Sequence, residues 1–130
     1  MAFIHKSRRT DRPNETVANR VVGDVKGRMC VLTDDIIDTG GTIVKAAEAL
    51  MNDGAAGVII AATHAILSDP AVDRLKNSPA AEVVVTNTLP LAPEREFDKL
   101  TCLSIAPLIS RAIKEVFEDG SVTSMFDGHA

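Results

Sequence analysis

Asp34, Asp35 and Asp38 crowd into the run CVLTDDIIDTGGT, residues 30–42. Apolar residues precede them, and Thr39, Gly40, Gly41 and Thr42 follow. An ionised carboxylate only accepts hydrogen bonds, so a pair of them suits a ligand rich in hydroxyl donors, such as the vicinal diol of a sugar. They do not suit a phosphate, whose charge has the same sign. The next four residues do. Glycines allow close backbone approach, and threonines add hydroxyl donors. A helix opening near Thr42 turns its N-terminal N–H groups and dipole toward an anion. By itself the run therefore suggests a sugar phosphate, with Asp34 and Asp35 on the hydroxyls and the Thr-Gly-Gly-Thr segment on the phosphate. Asp38 either caps the loop by accepting backbone N–H bonds or accepts a proton, and the cap is the preferred reading. A solvated surface turn is the bland alternative. Against it stands the combination of an apolar strand, two acids and D-T-G-G-T opening an amphipathic helix. The spacing and lysine of a Walker A loop are missing.

Such a loop needs a sheet edge to hold it. Short apolar runs at 29–33, 57–63, 82–86 and 100–105 read as strands buried on both faces of a parallel sheet. Residues 2–5 and 17–22 read as two further short strands. Helices are expected over 42–52, with Gly54 as the stop, and over 70–77, with Ser68 and Asp69 as cap and first turn. A third, over 107–117, carries the apolar stripe Leu108, Ile109, Ala112, Ile113, Val116 and Phe117, ended by Gly120. Strands and helices thus alternate, with a proline-bearing loop over 90–98. That order predicts one α/β domain over 1–130, a Rossmann-like parallel sheet with helices on both faces. Ligands of such sheets bind at the C-terminal strand ends, where Asp34 and Asp35 fall. His64, Asn87 and Thr88 end neighbouring strands at the same edge, where ordinary supporting roles are expected of them. The polar head over 6–14 carries Lys6, Arg8, Arg9 and Arg12. It is either a solvated loop or a mobile basic loop that meets phosphates.

Composition sets the outer limits. The 130 residues are 45% hydrophobic and 25% charged, which suits a soluble globular domain with a real core. With 18 acidic against 14 basic residues the formal charge is -4, which argues against a nucleic-acid binder. Tryptophan and tyrosine are absent, so bases find no such stacking surface. Cys30 and Cys102 sit in apolar runs and read as free buried thiols, with no metal-type Cys/His spacing. No signal peptide or apolar run long enough to span a membrane is seen, so a cytoplasmic protein with no membrane partner is expected.

The run VLTDDIIDTGGT resembles the phosphoribosyl pyrophosphate-binding motif of type I phosphoribosyltransferase folds. AFIHKSRR…RPN, VVGDVKGR, ATHAILSDPAVDRL, VVTNTLP, LSIAPLISRAI and GSVTSMF together are similar to the C-terminal half of the ribose-phosphate pyrophosphokinase (phosphoribosyl pyrophosphate synthetase) family, in its actinobacterial form. The resemblance covers essentially the whole chain. It implies a phosphoribosyltransferase-like fold, Mg²⁺ as cofactor, and transfer of diphosphate from ATP to the 1-hydroxyl of ribose 5-phosphate. It further implies Asp34 and Asp35 on the ribose, directly or through a metal, and Asp38, Thr39, Gly40, Gly41 and Thr42 around the 5-phosphate. Lys6 and Arg8 match the K-x-R of the family's flexible catalytic loop, here a head over 1–14, with Arg9 as the alternative to Arg8. Ser121 and Thr123, in the tail over 120–130, match a segment that contributes to an allosteric phosphate site between subunits.

The family's N-terminal half, with its ATP contacts and metal ligands, does not fit in these residues, so no intrinsic metal site is expected. ATP is expected to engage only with that half present, and the chain is expected to be inactive alone. Its expected ligands are ribose 5-phosphate and phosphoribosyl pyrophosphate. Its expected protein partners are further copies or a full-length synthetase. A free-standing sugar-phosphate-binding regulatory module remains an alternative. A small nucleobase phosphoribosyltransferase is disfavoured, because no hood segment or base-stacking aromatic is found.

Overall fold

The apolar runs become strands that outlast their apolar cores. The computed structural model describes the backbone of residues 3–8 and 16–126, and side chains from Val21 onward. A hairpin of β1 (Phe3–Arg8) and β2 (Thr16–Val22) comes first, paired antiparallel from Phe3 opposite Val22 to Arg8 opposite Thr16. Of the expected head, residues 3–8 therefore form β1, while 1–2 and 9–14 lie outside the described residues.

The main sheet holds β3 (Met29–Ile37), β4 (Gly57–Ala65), β5 (Glu82–Thr86) and β6 (Leu100–Leu103), all parallel and in that order. Between β3 and β4 runs α1 (Gly41–Asn52); α2 (Ala71–Lys76) joins β4 to β5. Helix α3 (Ala106–Phe117) follows β6. The α/β class and the parallel sheet are as expected. β3 was expected to stop at Thr33, but its pairing with β4 continues to Ile37 opposite Ala65. Asp34 and Asp35 are consequently strand residues. The expected cap of α2 is also absent: its N-cap is Pro70, with no side-chain cap bond.

The core occupies one face of this sheet. Val58, Ile60 and Ala62 of β4 and Val83 and Val85 of β5 meet Ile43, Ala47 and Leu50 of α1 and Ala71 and Leu75 of α2. Alternation along the strands sends every second side chain there. Val58, Ile60, Leu75, Val83 and Val85 retain 0% exposure. Each such burial stabilises the fold by about 1.5–3 kcal/mol, enough to pin the strand ends that carry the site.

Burial on both faces, expected from the strands' composition, does not hold. Met29, Val31 and Leu103 are 58%, 60% and 53% exposed, because nothing among the described residues covers the second face there. The apolar stripe of α3 is uncovered as well, with Phe117 at 85%. The same openness accounts for the cysteines. Both are free, but Cys102 on the edge strand β6 is exposed and Cys30 only half-buried, so the expectation of two buried thiols is corrected.

Candidate functional site

At the C-terminal end of β3 the chain turns sharply into α1. Gly40 is the N-cap, with φ 70 and ψ -7, a left-handed conformation that glycine adopts without penalty. Glycine brings no capping oxygen, and the first turn of α1 contains no acidic residue. An external anion can therefore take the place that a capping carboxylate usually fills. Val44 N–H donates to Gly40 O at 3.1 Å, the bond that starts the helix.

Around this turn lies a cavity of about 270 Å³, lined by Asp34 and every residue from 36 to 43. It brings together Asp34, Asp38, Thr39, Gly40, Gly41 and Thr42. Asp35 does not line it. Neighbouring strand residues face opposite sides, so Asp34 and Asp35 diverge. Their one direct link is the Asp35 N–H donating to Asp34 Oδ1 at 2.9 Å. The expected loop cap by Asp38 is not made: its exposed carboxylate has no hydrogen bond among the described residues. That leaves a bare acceptor in the cavity wall.

One contributor escaped the sequence reading. Arg74, on α2, donates from Nη1 to Thr39 O at 2.9 Å. The same Nη1 lies 3.2 Å from where a Cβ on Gly41 would stand. A side chain at position 41 would thus meet the guanidinium. Gly40, on its side, would place a Cβ 3.6 Å from Ala71 and Leu75 of α2. The loop is held between α1 and α2, with a cation on its backbone. No local pattern around Arg74 announced this, since it depends on where α2 packs.

His64, Asn87 and Thr88 form ties at the neighbouring strand ends. His64 Nδ1 is 2.9 Å from Thr88 Oγ1. Thr88 Oγ1 donates to Thr63 O at 3.0 Å, and Thr86 Oγ1 to the same carbonyl at 2.7 Å. Asn87 Oδ1 accepts from Ile105 N–H at 2.9 Å, joining β5 to the start of α3. Lys6 and Arg8 lie in β1, their side chains outside the described residues. Ser121 and Thr123 lie beyond α3, exposed and outside the cavity lining.

Comparison with known proteins settles the lineage. A model of the phosphoribosyl synthetase-associated domain matches residues 6–127. The chain belongs to that family. Within it, the ribose-phosphate pyrophosphokinase of Streptomyces coelicolor is 63% identical over 127 residues, 98% of this chain and 39% of that protein. The ribose-phosphate pyrophosphokinase of Mycobacterium tuberculosis strain H37Rv is 62% identical over 130 residues, 100% of this chain and 40% of that protein. Among solved structures, phosphoribosylpyrophosphate synthetase from Mycobacterium smegmatis shares the fold at a TM-score of 0.79 and 58% identity, over 92% of this chain and 37% of that one. The chain thus spans about 40% of the length of these curated family members. The α/β fold expected from the type I phosphoribosyltransferase resemblance is borne out by this match.

No group of three His, Cys, Asp or Glu among the described residues is placed to hold a metal ion. Asp34 and Asp38 contribute two carboxylates to the cavity, short of a cage. A resident ion does not fit this donor set. An ion arriving on a ligand's own phosphates does, since Mg²⁺ is commonly held by one or two carboxylates plus substrate oxygens. Among the described residues, no helix is long and apolar enough to cross a membrane.

Proposed function

We propose that this chain is the ribose 5-phosphate and phosphoribosyl pyrophosphate-binding portion of a ribose-phosphate pyrophosphokinase, acting on the ATP-derived diphosphate only together with the remainder of such a protein. What carries the reading is the left-handed, uncapped Gly40 turn at the head of α1, with Asp34 in the same cavity. The helix end and Arg74 offset the charge of a 5-phosphate seated on Thr39 to Thr42. Asp34 accepts from a ribose hydroxyl, and Asp35, which does not line the cavity, takes part only where the ligand or an ion it carries extends past the strand edge.

In the whole reaction the 1-hydroxyl of ribose attacks the β-phosphorus of ATP and AMP leaves. Charge spread over the transferring oxygens is met by Lys6 and Arg8, which is where phosphoryl transfer gains most. Mg²⁺ carried in by the substrates would screen the phosphates, with Asp34 and Asp38 the cavity carboxylates that would face it. Ser121 and Thr123 form part of a second phosphate site at a subunit contact, so an oligomer, or association with a full-length synthetase, belongs to the reading. So does a cytoplasmic location.

Calorimetric titration of the chain with ribose 5-phosphate, with and without Mg²⁺, tests this. Saturable binding is expected, and Asp34→Asn should weaken it by roughly 10- to 100-fold, the worth of one charge-assisted hydrogen bond of about 1.5–3 kcal/mol. Undiminished affinity in that variant would refute the hydroxyl assignment. Absence of any binding would remove the sugar-phosphate site from this chain.

A further inference from the structure

His64 is unused by the reading above, yet it stands beside the cavity. Its Cα partner across the sheet is Ile36, which lines that cavity. Asp34, two residues earlier, pairs with Ala62, two residues before His64. Paired residues of a parallel ladder share a face, so His64 lies on the face of Asp34 and Ile36, one strand spacing of about 4.8 Å away. The residue is half-buried.

The bonds around its ring bear on its tautomer as well as its position. A hydroxyl has one proton to give. Thr88 Oγ1 lies 3.0 Å from Thr63 O and Thr86 Oγ1 lies 2.7 Å from the same oxygen, while Thr86 Oγ1 is also 3.3 Å from Thr88 Oγ1; the shorter contacts put both protons on Thr63 O. A carbonyl has two lone pairs, so Thr63 O takes both. What Thr88 Oγ1 then offers His64 Nδ1, 2.9 Å away, is a lone pair. With the Thr88 proton so placed, Nδ1 carries the ring proton, and in the neutral ring Nε2 is left as an acceptor. Were Thr88 Oγ1 to donate to Nδ1 instead, Nε2 would carry the proton. Nε2 has no partner among the described residues.

We propose that His64 is a specificity-determining residue of this site: Thr88 holds it in the Nδ1–H tautomer, so that Nε2 accepts a hydrogen bond from a sugar hydroxyl. Thr88 is its positioning residue. Inorganic phosphate seated at the helix end carries no sugar hydroxyl to extend toward Nε2, so the histidine favours a sugar-bearing ligand over inorganic phosphate. This rests on the sugar-phosphate reading, and the test separates the two.

The chain has three histidines, so ¹⁵N-detected histidine spectra can be assigned by the loss of one ring in His64→Asn. In the free protein the His64 ring should show a protonated Nδ1 and an unprotonated Nε2. Thr88→Val, which keeps the shape and removes the oxygen, should restore the Nε2–H form common in free histidine. Ribose 5-phosphate should move both the Gly40 and Gly41 amides and the Nε2 signal; inorganic phosphate should move the amides alone.

His64→Asn keeps a nitrogen near Nδ1 and loses Nε2, whereas His64→Gln reaches the Nε2 position. His64→Asn should therefore weaken ribose 5-phosphate roughly 3- to 10-fold and leave inorganic phosphate unchanged, with His64→Gln closer to the parent. An Nε2–H tautomer in the parent protein overturns the inference. So does equal weakening of both ligands, which marks a merely structural histidine. Amides that shift while Nε2 stays still overturn the histidine's role alone. Amides that stay still with ribose 5-phosphate overturn the sugar-phosphate reading and the hydroxyl contact with it.

Discussion

Replacing Gly40 with alanine tests the turn on which the site depends. Gly40 is buried, and its φ of 70 lies in the left-handed region. The added methyl would stand 3.6 Å from the Ala71 backbone and from Leu75 Cγ, ordinary van der Waals contact. Overlap therefore contributes little, and the cost is conformational. An L-residue held left-handed loses about 1–2 kcal/mol. Against this, alanine restricts the unfolded chain and returns about 0.4–1 kcal/mol. The balance is a destabilisation of about 1 kcal/mol.

Gly41→Ala is the internal control. Gly41 is the first residue of α1, and its added Cβ would meet only Arg74 Nη1, at 3.2 Å, and Cζ, at 3.7 Å. The end of a flexible arginine moves aside, so this variant should be neutral or gain up to about 1 kcal/mol. Urea unfolding followed by far-ultraviolet circular dichroism reads both. With a slope of roughly 2 kcal/mol per molar, Gly40→Ala should lower the midpoint by about 0.5 M at unchanged slope, while Gly41→Ala should hold or raise it. If Gly40→Ala unfolds no earlier than the parent protein, the left-handed cap is wrong, and with it the geometry proposed for the anion.

Two further perturbations act elsewhere. Arg74→Met removes the guanidinium from Thr39 O and should weaken ribose 5-phosphate by roughly 3- to 10-fold in calorimetry; Arg74→Lys should restore it only partly, because an ammonium lacks the planar fork. Unchanged affinity in Arg74→Met would show that the arginine merely packs. The uncovered apolar layer, with Val31 and Phe117 60% and 85% exposed, should bind a hydrophobic dye and drive self-association at high concentration. Val31→Ser combined with Phe117→Ser should reduce both, read by fluorescence and size-exclusion chromatography. A parent chain that stays monomeric and binds no dye would contradict the open layer.

Local signals were legible where local physics decides the structure. All four parallel strands and the three helices stand within a few residues of where periodicity and Gly or Pro punctuation put them. The Gly40 turn was readable because only a strand-to-helix junction explains D-T-G-G-T after an apolar run. What escaped the sequence depends on contacts remote along the chain. The length of β3 past Thr33 is set by pairing with β4, and no pattern in TDDII carries that. For the same reason Asp34 and Asp35 read as a matched pair, although a strand sends them to opposite faces. Arg74 reaches Thr39 across 35 positions. The open second face was invisible because composition reports how apolar a strand is, not whether anything covers it.

These two kinds of contact divide the site unequally. The proposed phosphate side is built from β3, α1 and α2, which pack on one another within this chain: Gly40 against Ala71 and Leu75, Arg74 against Thr39. These contacts hold the helix end and the guanidinium on the same loop. The proposed hydroxyl side is less supported. Asp34 and Asp35 are exposed, and within the described residues β3 is an edge strand whose outer face is bare at Met29 and Val31. An edge strand with exposed apolar side chains is held on one flank only. The chain should consequently retain much of its affinity for the phosphate group while ordering the sugar weakly, and the part of its relatives that it does not span should tighten the sugar more than the phosphate. Comparing inorganic phosphate with ribose 5-phosphate, on this chain and on a full-length relative, measures that difference directly. Equal gains for both ligands in the full-length protein would mean that the phosphate turn, too, is completed from outside.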